Sequence, residues 1–163
     1  MSSQAQTYDV HAGLEDVQPF TVVGVSTVTT NKDGQAADDI NKLWERFFKD
    51  SVGQNLSSKV DDVIYAVYSD YEGDHSYPYR ITIGYKVNSP ENIPDSMHAV
   101  SVHAGQYGVM SASGPQPQTL VETWTAIWSS DLNRQFGSDF EVYGPRFFEE
   151  GVNEVLIYIG LKK

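Results

Sequence analysis

A helix-sized segment that occurs twice constrains this chain more than any other feature. Residues 40–48 read Ile-Asn-Lys-Leu-Trp-Glu-Arg-Phe-Phe, and residues 120–128 read Leu-Val-Glu-Thr-Trp-Thr-Ala-Ile-Trp. Set one above the other, Ile40 falls on Leu120, Trp44 on Trp124, Phe47 on Ile127 and Phe48 on Trp128. In the first copy the apolar residues at 40, 43, 44, 47 and 48 form the i, i+3, i+4, i+7, i+8 stripe of a helix with one face on a core. Each copy is followed by an aromatic strand, about Val63 to Ser69 and Phe140 to Tyr143. A further strand with a glycine near its end comes next: Ile81-Thr82-Ile83-Gly84-Tyr85 and Ile157-Tyr158-Ile159-Gly160-Leu161.

Each unit also opens on a strand. Phe20 to Thr29 is rich in β-branched residues, and Ala99 to Ser111 is extended but interrupted at Gly105 and Gly108, which predicts a bulge or bend. The order is therefore β-α-β-β twice. This predicts an α+β fold: a pseudo-two-fold antiparallel sheet with helices on one face and a central cleft at the seam. The first helix is expected over Ala36 to Asp50. The second begins after Gly114-Pro115-Gln116-Pro117 and extends toward Leu132. Residues 1–17 read as a loosely held polar arm. Residues 18–163 read as one domain of two repeats, about 18–88 and 97–163, joined through the Pro90 and Pro94 segment.

Composition removes several function classes. A net charge of −11, from 22 acidic against 11 basic residues, opposes binding to a phosphate backbone or an anionic membrane surface, and it favours cationic partners. The absence of Cys excludes disulfides, thiolate nucleophiles and Cys-ligated metals. No apolar run is long enough to span a bilayer, and the first residues do not read as a signal peptide, so a cytoplasmic location is expected.

Ten tyrosines in 163 residues point to a half-wet aromatic cavity, because a buried Tyr seeks a partner for its hydroxyl and aromatic faces attract organic cations. Tyr65, Tyr68, Tyr107, Tyr143 and Tyr158, on the predicted strands, are candidate lining residues. Trp44 and Trp124, at matched helix positions, fit either the core or the cleft. Strand alternation puts Glu141 and Tyr143 on one face, with Phe140 and Val142 on the other, so Glu141 is the leading candidate for an anion among aromatics. Asp70, Glu72 and Asp74 read as a surface loop. His11, His75, His98 and His103 lack metal-ligand spacing, and His103 reads as structural. No nucleophile elbow or phosphate-binding glycine loop is present, so neither a cofactor nor catalytic machinery is expected.

Over most of residues 18–162 the chain resembles the GyrI-like small-molecule-binding superfamily, the effector-binding domain of AraC- and MerR-type transcription regulators. The resemblance is carried by Leu43-Trp44-Glu45-Arg46-Phe47, by Ile64 to Asp74, by Ile83-Gly84-Tyr85-Lys86-Val87 and by Gly105-Gln106-Tyr107-Gly108-Val109-Met110. It continues through Trp124-Thr125-Ala126-Ile127-Trp128, Asp139 to Tyr143 and Ile157-Tyr158-Ile159. The Tyr-Ser-Asp-Tyr-Glu-Gly-Asp stretch looks most like stand-alone members, including an integron cassette protein that binds cationic drugs. The resemblance implies a cleft that takes lipophilic, often cationic, compounds against aromatics and a carboxylate. It also implies a sensor or sequestering protein without its own DNA-binding segment, since the first 17 residues leave no room for one.

One position departs from the family. Many relatives carry an acid two residues before the Tyr of the Ile-Tyr-Ile run, where this chain has Leu156, and Glu154 is displaced by two. Two other functions stay open at this point. Some superfamily members hydrolyse small electrophiles, and Glu141 with Tyr107 or Tyr143 could imitate their Glu and Tyr pair. A protein partner, in the manner of gyrase-inhibitor relatives, or a homodimer is the other.

Overall fold

The computed structural model describes residues 13–56, 59–73, 77–88, 93–115, 118–128, 130 and 133–162. Helix α1 spans Gln35–Lys49 and α2 spans Gln118–Trp128. A short 3-10 turn, Lys32–Gly34, leads into α1 through Gly34, whose φ of 74° is a left-handed conformation that glycine adopts without penalty. Asp38 in the first turn of α1 and Arg46 and Lys49 in its last turn complement the helix dipole. The helix ends at Asp50, ahead of Ser51 at φ 50°. Leu43 and Phe47 are buried on its inner face, as are Trp124 and Ile127 on α2. Asp74 and His75, Pro90, the Gln116-Pro117 pair, Leu132 and His11 lie outside the described residues.

Eight strands form one sheet: β1 Gly13–Val17, β2 Phe20–Thr29, β3 Lys59–Ser69, β4 Tyr79–Val87, β5 His98–Val102, β6 Gly105–Ala112, β7 Arg134–Tyr143 and β8 Val155–Leu161. Their order is β1-β6-β8-β7-β3-β4-β2-β5, and every neighbouring pair is antiparallel. That order is palindromic about the β3–β7 pair, with β2, β3 and β4 on one side mirrored by β6, β7 and β8 on the other. The fold is α+β, with both helices packed over the same face of the sheet.

Three expectations change. Residues 13–17, read as part of a loose arm, form β1, which pairs with β6 from Gly13↔Val109 to Val17↔Gly105. The single strand expected over 99–111 is two strands that pair at opposite ends of the sheet order, β5 on β2 and β6 on β8 and β1. The chain breaks between them at His103-Ala104, just before Gly105 at φ 153°. Each leading strand thus caps the other repeat. Strand β7 is also longer than expected. It begins at Arg134 and carries a register shift between Arg134 and Asp139, with Phe136 in the left-handed region at φ 58°.

The glycines of the second strands answer a close approach. Gly24 sits opposite Gly84. A Cβ on Gly84 would stand 2.0 Å from the Val23 carbonyl oxygen, and one on Gly24 would stand 1.9 Å from that of Ile83. Gly160, the counterpart of Gly84, passes the Ser138 carbonyl with 3.0 Å to an added Cβ.

Two cores result from strand alternation. Under the helices lie Val23, Val25, Ile64, Ala66, Ile81, Ile83, Val155, Ile157 and Ile159. On the other face lie Val22, Val67, Val100, Val102, Tyr107 and Phe140. Among the described residues no helix is long and apolar enough to cross a membrane.

Candidate functional site: an aromatic cavity over Glu141

The helices do not close over the middle of the sheet. A cavity of about 720 Å³ remains between them, within the range of small-molecule sites. Helix α1 contributes Ile40, Trp44 and Phe48, and α2 contributes Leu120, Val121, Trp124 and Trp128. The central strands supply Ile64, Tyr68, Glu141 and Tyr143, and Tyr71, Tyr79 and Arg134 close the far end. All three tryptophans of the chain line this space. The rim residues Phe48 and Phe148 are 63% and 64% exposed, so the mouth is apolar as well.

Glu141 is 2% exposed. Its Oε2 accepts hydrogen bonds from the Tyr68 hydroxyl at 2.9 Å and the Trp124 indole N–H at 2.6 Å, and its Oε1 accepts one from the Tyr143 hydroxyl at 2.7 Å. All three donors are neutral. Burial raises the Glu141 pKa above the ordinary glutamate value, and the bonds from Tyr143, Trp124 and Tyr68 oppose that rise. Burial, reinforced by the Glu141 charge, pushes the Tyr68 and Tyr143 hydroxyls well above their usual range, which keeps them protonated as donors. Hydrogen bonds to a charged group contribute about 1.5–3 kcal/mol each, so the three donors offset part of the cost of burying the ionised form.

The duplication explains why there is one such acid. Tyr68 pairs with Ile81, three residues before Gly84, and Glu141 pairs with Ile157, three residues before Gly160. With the two glycines superposed, Tyr68 and Glu141 occupy the same place in their repeats. One copy supplies the carboxylate and the other supplies one of its donors.

Of the eight candidate residues, Trp44, Tyr68, Trp124, Glu141 and Tyr143 meet in this cavity. Trp44 lies edge-on to Tyr143 with centroids 5.0 Å apart, and Tyr68 lies against Trp124 at 5.1 Å. Tyr65, Tyr107 and Tyr158 do not join them. They lie on the opposite face of the sheet around Phe140, with Tyr158 stacked on it at 4.5 Å and 9°. The physical reason is the two-residue period of a strand: Tyr65 and Tyr68 differ by three positions, which sends their rings to opposite faces. The Tyr107 hydroxyl donates to the His103 carbonyl at 2.7 Å and sits 3.0 Å from Ser138 Oγ, so no Glu141–Tyr107 pair forms. The Tyr158 hydroxyl, pushed up to about 12 by burial and by Glu15, donates to Glu15 at 3.2 Å. Glu154, the displaced acid, is held by Arg146 at 2.7 Å and accepts from Ser111 at 2.6 Å. Its pKa is lowered, first by the Ser111 bond.

A second buried acid escaped the sequence. Asp139 accepts from Tyr71 at 2.6 Å, from Arg134 Nη2 at 2.8 Å and from the Gly160 amide at 2.8 Å. The signal was there in principle, as an Asp in phase with Glu141 on one strand face. Among the described residues no group of three or more His, Asp or Glu is gathered to hold a metal ion.

Comparison with known proteins places this geometry in a family. Residues 13–161 match the Cass2 model, described as integron-associated effector binding protein. The chain belongs to that family. It is 30% identical over 128 residues to YobU of Bacillus subtilis (strain 168), covering 76% of this chain and 80% of YobU. It is also 30% identical over 146 residues to the transcriptional regulator BrlR of Pseudomonas aeruginosa, covering 85% of this chain but about half, 50%, of BrlR. The integron cassette protein VCH_CASS2 from the mobile metagenome of Vibrio cholerae superposes with a TM-score of 0.72 at 25% identity, over 92% of this chain and 95% of that one. SAV2435, solved bound to tetraphenylphosphonium, shares the fold with a TM-score of 0.74 at 17% identity, over 96% of this chain and 94% of that one. Like its relatives, this effector-binding protein is related to transcription regulators.

Proposed function

We propose that this protein is a non-catalytic receptor for lipophilic cations, acting in the cytoplasm as a sensor or a sequestering protein. The observation that carries this reading is the burial of Glu141 without a counter-charge. Its carboxylate lies buried in an aromatic cavity with three neutral donors and, among the described residues, no cationic partner. A buried anion of this kind is costly until a counter-charge arrives. The walls suit an organic cation, because Trp and Tyr faces attract delocalised positive charge at about 0.5–2 kcal/mol per placed contact. The tetraphenylphosphonium held by SAV2435 is a ligand of this chemistry on the same fold.

The hydrolase reading draws less support. A general base needs a matched basicity and a lone pair facing the substrate, and three of the roughly four acceptor positions of Glu141 are already taken by Tyr68, Trp124 and Tyr143. Titration with tetraphenylphosphonium, followed by tryptophan fluorescence, tests the proposal, since all three tryptophans line the cavity. Saturable quenching is expected. A panel of phosphonium and rhodamine cations that leaves the fluorescence unchanged refutes it.

A further inference from the structure

The wall of the cavity is rich in rings and poor in open acceptors. Tyr71 and Tyr79 line it, but their hydroxyl protons are committed to Asp139 at 2.6 Å and to Asn31 Oδ1 at 2.7 Å. Tyr68, Trp124 and Tyr143 direct their protons at Glu141. Glu141 is the one carboxylate on the described wall, and three of its roughly four acceptor positions are taken by those donors. Asn41 also lines the space, but it is exposed and sits at the solvent edge. An N–H carried into the interior therefore finds about one open position on Glu141, and beyond that the lone pairs of neutral oxygens. The rings are far better supplied. Trp44 lies against Tyr143, Tyr68 against Trp124, and Trp124 beside Trp128 at 6.5 Å.

We propose that the cavity selects cations that carry no N–H (quaternary ammonium, phosphonium or N-alkylated heteroaromatic ions) over protonated amines of the same size and charge. This rests on the cation-receptor reading above and narrows its ligand class. Both kinds of cation are drawn equally by the Glu141 charge, so the distinction lies in hydrogen bonding. A primary ammonium has three N–H donors, all satisfied by water before it binds. Inside, one of them can use the open position on Glu141, and burial of the others without a strong acceptor is a desolvation cost that no contact returns. An aprotic cation brings no such donors. Its charge is spread over carbon substituents, which the Trp and Tyr faces accept directly. The three donors on Glu141 thus do two things: they hold the acid in the cavity, and they keep most of its lone pairs from a ligand N–H.

Two isomeric cations provide the test: (3,3-diphenylpropyl)trimethylammonium and 6,6-diphenylhexylammonium. They share one formula, one charge and two phenyl rings, and an alkylammonium, like a lysine side chain with a pKa of about 10.4, stays protonated at pH 7. Calorimetric titration of the wild-type protein should show the quaternary isomer binding tighter by at least about tenfold. Tyr68→Phe opens a second position on Glu141 Oε2, and Tyr143→Phe opens one on Oε1. Either change alters the affinity of both isomers, so the readout is their ratio, which should shrink by at least about threefold as the ammonium gains an acceptor. Equal wild-type affinities, or a tighter ammonium, overturn the proposal while the cation reading stands. A ratio that neither folded variant moves overturns it as well. Failure of both isomers to bind the wild type removes the cation reading and this one together. If neither variant folds, the wild-type ratio alone decides.

Discussion

Replacing Glu141 with Gln removes the charge and little else. The amide oxygen can still accept from Tyr68 and Trp124 where Oε2 does now, and the amide N–H2 can donate to Tyr143, whose hydroxyl rotates to accept. A cation resting on the Trp44 and Trp124 rings is kept off the carboxylate by its donors. A charge separation of about 6 Å at an effective dielectric of about 20 gives about 2.8 kcal/mol. That corresponds to roughly a hundredfold in Kd. The assay is calorimetric titration of wild type and Glu141→Gln with methyltriphenylphosphonium and with the neutral triphenylphosphine oxide. The phosphonium should lose about a hundredfold and the oxide less than about threefold. Because burial raises the Glu141 pKa, the charged acid weakens the unliganded fold at neutral pH, and that penalty fades as pH falls through the folded-state pKa. The unliganded Gln variant should therefore melt no lower than wild type near pH 7. Loss of both ligands to the same degree would refute the electrostatic reasoning, as would phosphonium affinity unchanged in the variant.

Phosphonium affinity should fall on acidification with a midpoint above the usual glutamate value of 4.5, since the ligand itself does not titrate and only charged Glu141 attracts it; an affinity still flat below that value contradicts the raised pKa. Trp124→Phe deletes one donor to a buried charge, so a stability loss of about 1.5–3 kcal/mol by denaturant melts is expected, together with an upward move of that pH midpoint. Gly84→Ala drives a Cβ to 2.0 Å from the Val23 carbonyl oxygen, and thermal denaturation should show a loss of at least about 2 kcal/mol or no folded protein. Asp139→Asn leaves Arg134 buried without its counter-ion and should cost about 3–5 kcal/mol by the same melts.

The duplicated helix made the layer arrangement legible, because a Trp-bearing apolar stripe in each copy demands the same sheet face twice. The edges of the sheet were not legible. Gly13–Val17 is exposed over four of its five residues and reads as a polar arm, and only pairing with β6 makes it a strand. Strand alternation correctly set Glu141 and Tyr143 together, and the same rule applied to Tyr65 and Tyr68 would have separated them. Asp139 and Arg134 were harder. Four residues with a register shift and a left-handed Phe136 lie between them, so no fixed period predicts that they meet. The approach of Tyr71 to Asp139 is likewise a contact between residues 68 positions apart, beyond any local pattern.

The account turns on where a bound cation sits, and co-crystals with tetraphenylarsonium locate it directly through the anomalous scattering of arsenic. One arsenic peak is predicted inside the cavity, between α1 and α2 and above the Glu141 carboxylate. A peak on the opposite face, beside Tyr65 and Tyr158, or a cavity left empty at saturating ligand, would contradict it.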